Sequence, residues 1–381
     1  MVDCVLALNY YAPYVSGLTN VARDIAEGLA ARGHNVTVVA AQHDKDLPLE
    51  EVRGGVRVLR TPVRLRIGKG VVSPSLVGTV LREARNADVL NLHLPMLEAG
   101  YIARRARKLR AAVALTYQCD VALPPGALNR VQQLAMDRSS RTAARAADAV
   151  AVSSDDYADA SRIASDLSAR RVVIPPGCHD RTGGAPTFRE TPGLHVGFLG
   201  RLVEEKGIEY LVEGFTKLQD PDARLLIAGS FSAVAGGSVI DRVRAAIGGD
   251  ERIRVLGFLP DEQLADFYAS LDVFALTSVN SFEAFGIVQV EAMMAGVPAL
   301  ASDLPGVRRP AMETGFGVVV PRRNSEAITR ALTELPGMAF DREASAQEAA
   351  RLYGLPSVLD RYEALFERLA TGGRGRDQAG K

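Results

Sequence analysis

Short apolar runs alternate with stretches of helical periodicity twice along this 381-residue chain, and one segment that fits neither pattern separates the two series. Residues 5–8 form the first apolar run. A turn-rich loop, 9–17, leads into 20–32, where Val21, Ile25 and Leu29 recur at helical spacing and Gly33 ends the helix. Residues 35–41 are again β-branched. One βαβ unit in about forty residues implies parallel strands, since a crossover helix is what joins them. The pattern continues with strands near 56–60, 89–92, 112–116, 149–152 and 172–174. Residues 181–193 are dense in Gly, Pro and Thr and read as a linker between a first domain, 1–180, and a second, 194–355.

In the second series, strands at 194–199, 224–228, 253–257, 273–276 and 299–301 alternate with helices at 207–218, 239–247, 261–269 and 286–294. Two closing helices, 343–352 and 356–370, follow no further strand in this reading, and the charged, Gly-rich tail 371–381 is expected to be disordered. The fold class is therefore α/β, with two Rossmann-like, doubly wound parallel-sheet domains facing across a cleft. Ligands in such sheets bind at the carboxyl ends of the strands.

Composition narrows the ligand. Hydrophobic residues make up 47% and charged residues 24%, which suits a globular chain with a sizeable core. Cys4, Cys119 and Cys178 are too scattered for a disulfide framework or a thiolate metal site, which points to a reducing compartment. No apolar stretch approaches the roughly 18 residues of a membrane span, and no secretory signal is expected. Residues 1–180 hold 23 Lys and Arg against 18 Asp and Glu, whereas the remainder holds 22 against 27. Much of the first surplus lies in 101–110, with Arg104, Arg105, Arg107, Lys108 and Arg110. That segment is either a solvated helix face or a contact for an anionic membrane surface or acidic acceptor. Nucleic-acid binding lacks a basic surplus and a recognised module. A dinucleotide dehydrogenase lacks its Gly-x-Gly-x-x-Gly turn, and a Walker loop is absent.

Two constellations carry chemistry. Between a strand and a helix, Gly200-Arg201-Leu202-Val203-Glu204-Glu205-Lys206-Gly207 puts two cations five residues apart, where a phosphate would meet both charges and the positive end of the helix. Glu204 and Glu205 balance those cations, so a solvated charged turn is equally compatible. Further on, a loop carrying Glu283 opens a helix near Phe285-Gly286, whose first N–H groups suit a diphosphate. Glu283 would lie beside the group attached to that diphosphate. Glu291, about one and a half turns into the helix, would reach a ribose and accept from its two hydroxyls.

These residues resemble the retaining glycosyltransferases of family 4, which have the GT-B fold. The resemblance runs nearly the whole length. It includes Tyr11-Ala12-Pro13 with Gly17, Gly33-His34-Asn35-Val36, Ile174-Pro175-Pro176-Gly177, Gly200-Arg201-Leu202 with Lys206-Gly207, and the two-glutamate signature Glu283 and Glu291 with Glu291-Ala292-Met293. It implies that Arg201 and Lys206 bind the donor diphosphate and steady the departing nucleoside diphosphate. Phe285, Gly286 and Ile287 would offer backbone N–H groups, Glu283 would hold sugar hydroxyls, Glu291 the ribose, and Gly17 would bring backbone close to the donor phosphate. The last helix would cross back onto the first domain. The activity implied is metal-independent transfer, with retention, of a sugar from a nucleotide-sugar donor to a small-molecule, glycan or lipid-linked hydroxyl acceptor. UDP-sugars come first and GDP-sugars second. No cofactor is expected beyond the donor, and the location expected is cytoplasmic, with peripheral contact at the inner membrane face through 101–110.

Three residues depart from the family pattern. Gln118 stands in Thr116-Tyr117-Gln118-Cys119-Asp120 where the family often has His, and an amide cannot act as acid or base near neutral pH. Ser16-Gly17 replaces a Gly-Gly pair, and Ala284 replaces a common Gly. A sugar-nucleotide epimerase and a catalytically weakened sugar-nucleotide binder are the alternatives. Of the histidines, His34 reads as structural, His93 as packed or lining the acceptor side, and His179 and His195 have no assigned role.

Overall fold

The structure, a computed structural model, describes residues 1–67, 70–122, 126–231 and 237–378. The chain divides into two compact units, Met1–Gly177 with Val358–Lys381, and Cys178–Ser357.

The first unit contains strands β1 (Asp3–Ala7), β2 (Asn35–Gln42), β3 (Glu50–Arg53), β4 (Val56–Pro62), β5 (Leu65–Ile67), β6 (Gly70–Val72), β7 (Val89–Leu94), β8 (Ala112–Tyr117), β9 (Ala149–Val152) and β10 (Arg171–Val173). Among its helices are α1 (Gly17–Ala31), α2 (Leu76–Glu83), α3 (Ala99–Ala106) and α4 (Ala127–Ala146). The main sheet runs β10-β9-β8-β7-β1-β2-β4-β3. Every residue of β7 and β8 is buried, as parallel strands covered on both faces require. The pairing is parallel except at the edge, where β3 lies antiparallel to β4. An all-parallel sheet is thus corrected at one strand. The cause is a hairpin closed by Gly54-Gly55, both with positive φ, while the charges of β3 blunt an exposed edge.

The last helix, Leu355–Gln378, continues past residue 370, where the sequence suggested its end. Residues 379–381 of the expected disordered tail lie outside the described residues. Its residues from 358 onward belong to the first unit. Arg32 meets Asp360 and Glu363 there, each at 2.7 Å, and Tyr362 donates to Thr116 Oγ1 at 3.4 Å.

The second unit is built on an all-parallel sheet, β13-β12-β11-β14-β15-β16. Its strands are β11 (His195–Leu199), β12 (Arg224–Ala228), β13 (Ile253–Gly257), β14 (Val273–Leu276), β15 (Ala299–Ser302) and β16 (Gly317–Val320). Alternation divides the core between the sheet's two faces. Leu226, Ala228, Phe274 and Leu276 enter one cluster, and Leu225, Ile227, Val273 and Ala275 the other. The closing helices do follow a further strand, β16. A four-residue Gly-Val-Val-Val run is too short for periodicity to tell it from buried helix. Residues 181–193, read as a linker, belong to the second unit and are strapped to it. Arg181 pairs with Asp261 at 2.7 Å, Ala185 N–H donates to Asp266 at 2.8 Å, and Phe188 N–H to Ser270 Oγ at 3.0 Å.

Each sheet has one point where strand order reverses, between β1 and β7 in the first unit and between β11 and β14 in the second. The loops leaving those strands diverge, which opens the crevice where such sheets hold ligands. Among the described residues no helix is long and apolar enough to cross a membrane.

Candidate functional site

In the second unit both chemistry-bearing loops leave the switch-point strands. The loop after β11 carries Arg201 and Lys206, and the loop after β14 carries Glu283. They are stapled at their bases. Thr277 Oγ1 donates at 3.2 Å to the carbonyls of Lys206 and Gly207, and Val279 N–H donates to Glu205 O at 2.9 Å. Gly207 sits at φ +60°, and a Cβ there would stand 2.5 Å from the Thr277 carbonyl oxygen, so only glycine fits. Held this way, the Lys206 ammonium reaches the Glu283 carboxylate as a direct ion pair, and Ser278 Oγ lies 3.4 Å from the same oxygen. The two side chains retain only 16% and 15% of their surface, a partly shielded setting where a pair is worth more than in water.

Arg201 is not in that pair. It is half-exposed and meets Glu205 at 3.5 Å. The structure therefore joins Lys206 with Glu283 and leaves Arg201 outside that pair.

Gly286 caps the helix Ile287–Met294 at φ +86°. A Cβ there would overlap the Leu276 side chain and come within 2.8 Å of Gln289 Nε2. Gln289 is buried and donates to the carbonyls of Phe285 at 2.7 Å and Val307 at 2.8 Å, which fixes the entry to the helix. Phe285 points inward, edge-on to Tyr353 at 5.3 Å. The backbone of Phe285, Gly286 and Ile287 thus forms a glycine-opened helix start, whose first N–H groups have no intrahelical acceptor.

Glu291, one face further along, keeps only 5% of its surface. Tyr268 Oη donates to it at 3.1 Å, Arg181 Nε lies 3.6 Å away, and the His179 backbone hydrogen-bonds to it. Burial pushes its carboxyl above the usual range, against the opposing pull of Arg181, Tyr268 and His179. The Arg181 Nη atoms are committed to Asp261 at 2.7 and 2.9 Å, so Glu291 is only partly compensated. Sequence reading missed Arg181 and Tyr268 and gave His179 no role. All three lie far from Glu291 in the chain and carry no motif.

In the first unit, Ser16 caps α1. It accepts from Thr19 N–H at 3.2 Å while its own N–H donates to Thr19 Oγ1 at 2.8 Å. The serine that replaces a glycine thus holds the helix start, and Gly17 is the first helical residue, with nothing within 4 Å of where a Cβ would be. Gln118 follows β8 at the same carboxyl edge. Its amide nitrogen donates at 3.2 Å both to Leu18 O and to His93 Nδ1. The carbonyl of Leu18 can only accept, which fixes the amide's orientation and makes Nδ1 of His93 an acceptor. His93 is buried, its Nε2 has no hydrogen-bond partner among the described residues, and desolvation lowers its pKa to about 3. It stays neutral, so neither it nor Gln118 offers a proton near neutrality.

His34, Glu363 and Glu367 place their ligand atoms within 4.8 Å of one another. Yet Val2 N–H donates to His34 Nδ1 at 3.2 Å, so the ring proton sits on Nε2 and is given to Glu363 at 2.8 Å. Both ring nitrogens are engaged, and this group reads as a helix anchor. His195 is likewise structural, with Nδ1 at 2.9 Å from Gly193 O.

The geometry agrees with what the chain is similar to. Residues 16–177 match the glycosyl transferase 4-like domain, and residues 188–351 match glycosyl transferases group 1. The phosphatidyl-myo-inositol mannosyltransferase of Mycobacterium leprae is 30% identical over 375 residues, covering 94% of each chain. A GDP-mannose-dependent alpha-mannosyltransferase of Mycolicibacterium smegmatis is 29% identical over 320 residues, covering 78% of this chain and 79% of its own. Among solved structures, Anabaena HepE in complex with UDP-glucose superposes with a TM-score of 0.72 at 18% identity, over 97% of this chain and all of the other. The chain belongs to the group 1, family 4 nucleotide-sugar-dependent glycosyltransferases and has the GT-B fold.

Proposed function

We propose that the protein transfers a hexose, with retention, from a nucleoside diphosphate sugar bound on the second unit to a hydroxyl acceptor. The observation that carries this is the Lys206–Glu283 pair at the β11/β14 switch point, beside the glycine-opened start of the helix Ile287–Met294. On this reading the diphosphate takes Lys206 and Arg201 as counter-charges and receives the N–H groups of Phe285, Gly286 and Ile287. That set of donors is preorganised for the negative charge that grows on the leaving group. When Lys206 turns to the phosphate, Glu283 is released to accept from the sugar hydroxyls. Glu291 takes the ribose. Gln118 presents its amide oxygen to a sugar hydroxyl, and proton transfer does not run through it or His93. A lipid-linked or polyhydroxylated acceptor is supported by the relatives' names, which include a phosphatidyl-myo-inositol mannosyltransferase. For the donor, those names carry GDP-mannose, and the solved neighbour carries UDP-glucose, so both bases belong in the test.

The test is nucleoside diphosphate release from a panel of UDP- and GDP-hexoses by wild type and Glu283→Gln. Release from one donor, lost in the variant while that nucleoside diphosphate still binds, is the expected result. Equal release by both proteins would remove Glu283 from the reaction.

A further inference from the structure

Arg181 lies between two carboxylates of the second unit. Its Nη atoms donate to both oxygens of Asp261, at 2.7 and 2.9 Å, and its Nε faces Glu291 Oε1 at 3.6 Å. The two ends of that bridge differ. Asp261 is exposed and opens the turn Asp261–Gln263 after β13, whereas Glu291 is buried in the helix Ile287–Met294. Water already solvates the first carboxylate, so its pairing adds little, while the second depends on whatever charge the protein brings to it. At 3.6 Å the Nε contact is past hydrogen-bond range, and Nε is buried with no hydrogen-bond partner among the described residues. The guanidinium thus brings Glu291 its charge and keeps one N–H donor unspent.

The other groups around Glu291 do not replace that charge. Tyr268 Oη donates at 3.1 Å from the helix Leu264–Ala269, and the His179 backbone hydrogen-bonds to it from the segment that carries Arg181. The buried Cys178 thiol faces Tyr268. The helix Ile287–Met294 holds no other titratable residue. The tyrosine and the backbone are neutral donors, and the His179 imidazole adds positive charge only when protonated, whereas a guanidinium stays charged. Burial pushes the Glu291 carboxyl up, and of the groups that pull it back down Arg181 acts most strongly. A strap role for Arg181 needs only the Asp261 fork, and Ala185 and Phe188 already tie the same segment down. It does not account for a buried donor facing a buried carboxylate.

We propose that Arg181 is a positioning residue for ribose recognition, supplying the charge that keeps Glu291 an acceptor-only carboxylate and so lets it tell a nucleoside diphosphate from its 2′-deoxy form. This rests on the reading that Glu291 takes the ribose. The two ribose hydroxyls both bring protons. An ionised carboxylate accepts from both, whereas a protonated one turns a donor of its own toward them. Charge at this position is what converts a buried carboxyl into a ribose-selective group.

The experiment titrates UDP, GDP and their 2′-deoxy forms into wild type, Glu291→Gln, Arg181→Gln and Arg181→Lys between about pH 5 and 8 by calorimetry. The readout is the ratio of ribo to deoxy affinity for the base that binds. That ratio cancels proton uptake by the phosphates, and His179 protonates alike in all the proteins. In the wild type it should be at least about tenfold, the size of one charge-assisted hydrogen bond, and Glu291→Gln should erase most of it. As pH falls and Glu291 takes up its proton, the ratio should drop. In Arg181→Gln the drop should come at higher pH, and Arg181→Lys, which returns the charge, should move it back toward wild type. A protein that is merely less stable would lose both nucleotides in proportion and leave the ratio alone. If Arg181→Gln follows the wild-type profile while Glu291→Gln still erases the preference, the proposal is overturned and the ribose stays with Glu291. An equal shift in the Gln and Lys variants also overturns it, since packing rather than charge would then be responsible. A wild type without the preference, or a Glu291→Gln that keeps it, removes the ribose from Glu291 and the proposal with it.

Discussion

Glu291→Gln separates the cost of this site to the fold from its use. The substitution keeps size and still accepts from Tyr268 at 3.1 Å, but it removes a buried charge that Arg181 offsets only from 3.6 Å. Because burial raises the folded-state pKa of Glu291, its contribution to stability is greatest below the unfolded carboxyl's pKa and is lost as pH rises through the folded value. At neutral pH the ionised group is therefore a burden, and the neutral isostere should stabilise the free protein by about 1 kcal/mol. For a unit the size of residues 178–357 that is roughly 2–4 °C in Tm. A nucleoside diphosphate at about 100 times its Kd adds about 2.7 kcal/mol to the wild type. Losing the ribose contacts costs about 2 kcal/mol for a charge-assisted pair, or about 30-fold in Kd. At the same ligand concentration the variant then gains only about 0.9 kcal/mol. Thermal unfolding with and without ligand should give curves that cross, the variant melting higher alone and lower when loaded. The gain without ligand should vanish at acid pH, where both side chains are neutral. A variant that melts lower alone would show that the buried charge is no burden, and one that takes the full ligand shift would take the ribose away from Glu291.

Three other outcomes follow from the same structure. Lys206→Ala leaves Glu283 shielded without its partner, so it should cost about 1–3 kcal/mol of stability, part of which the double variant with Glu283→Ala recovers; a cycle with no coupling energy would dissolve the pair. Gly286→Ala forces a Cβ into left-handed backbone and against Leu276 and Gln289, which should cost about 2–4 kcal/mol in denaturant unfolding, and an unchanged midpoint would contradict the tight turn. Hydrogen bonds from His34 and Arg32 hold the Glu363 carboxyl below its usual range. Its stabilisation is therefore present above the unfolded carboxyl's pKa and lost as pH falls through the folded value. Glu363→Gln should lower the melting temperature at neutral pH and flatten its fall on acidification, and an unaltered pH profile would separate the last helix from this pair.

The fold was legible wherever periodicity had room to show itself. α1 repeats Val21, Ile25 and Leu29 over four turns, and β2 has four β-branched residues in a row, 36–39. What escaped was short or charged. β16 has four residues, and β3 reads Glu-Glu-Val-Arg, an edge strand whose side chains face water. In the site, Lys206, Glu283 and Gly286 stood out because each lies in a loop between a strand and a helix, where motif and topology coincide. Arg181, Tyr268 and the His179 backbone did not, since their contacts with Glu291 are made by folding from segments that carry no pattern. Gln118 was visible as a departure from the family, but its clamp between Leu18 O and His93 depends on packing alone.

A nucleoside diphosphate site at the β11/β14 switch point can be read out by calorimetric titration with UDP, GDP, ADP and TDP. Wild type, Arg201→Ala, Lys206→Ala and Glu291→Gln would be titrated side by side. One diphosphate should bind the wild type at a single site, and each variant should lose about 1.5–3 kcal/mol of that affinity. Arg201→Ala should sit at the low end, because that side chain is half-exposed and shared with Glu205. Binding of equal strength by all four proteins, or of no diphosphate by any of them, would contradict it.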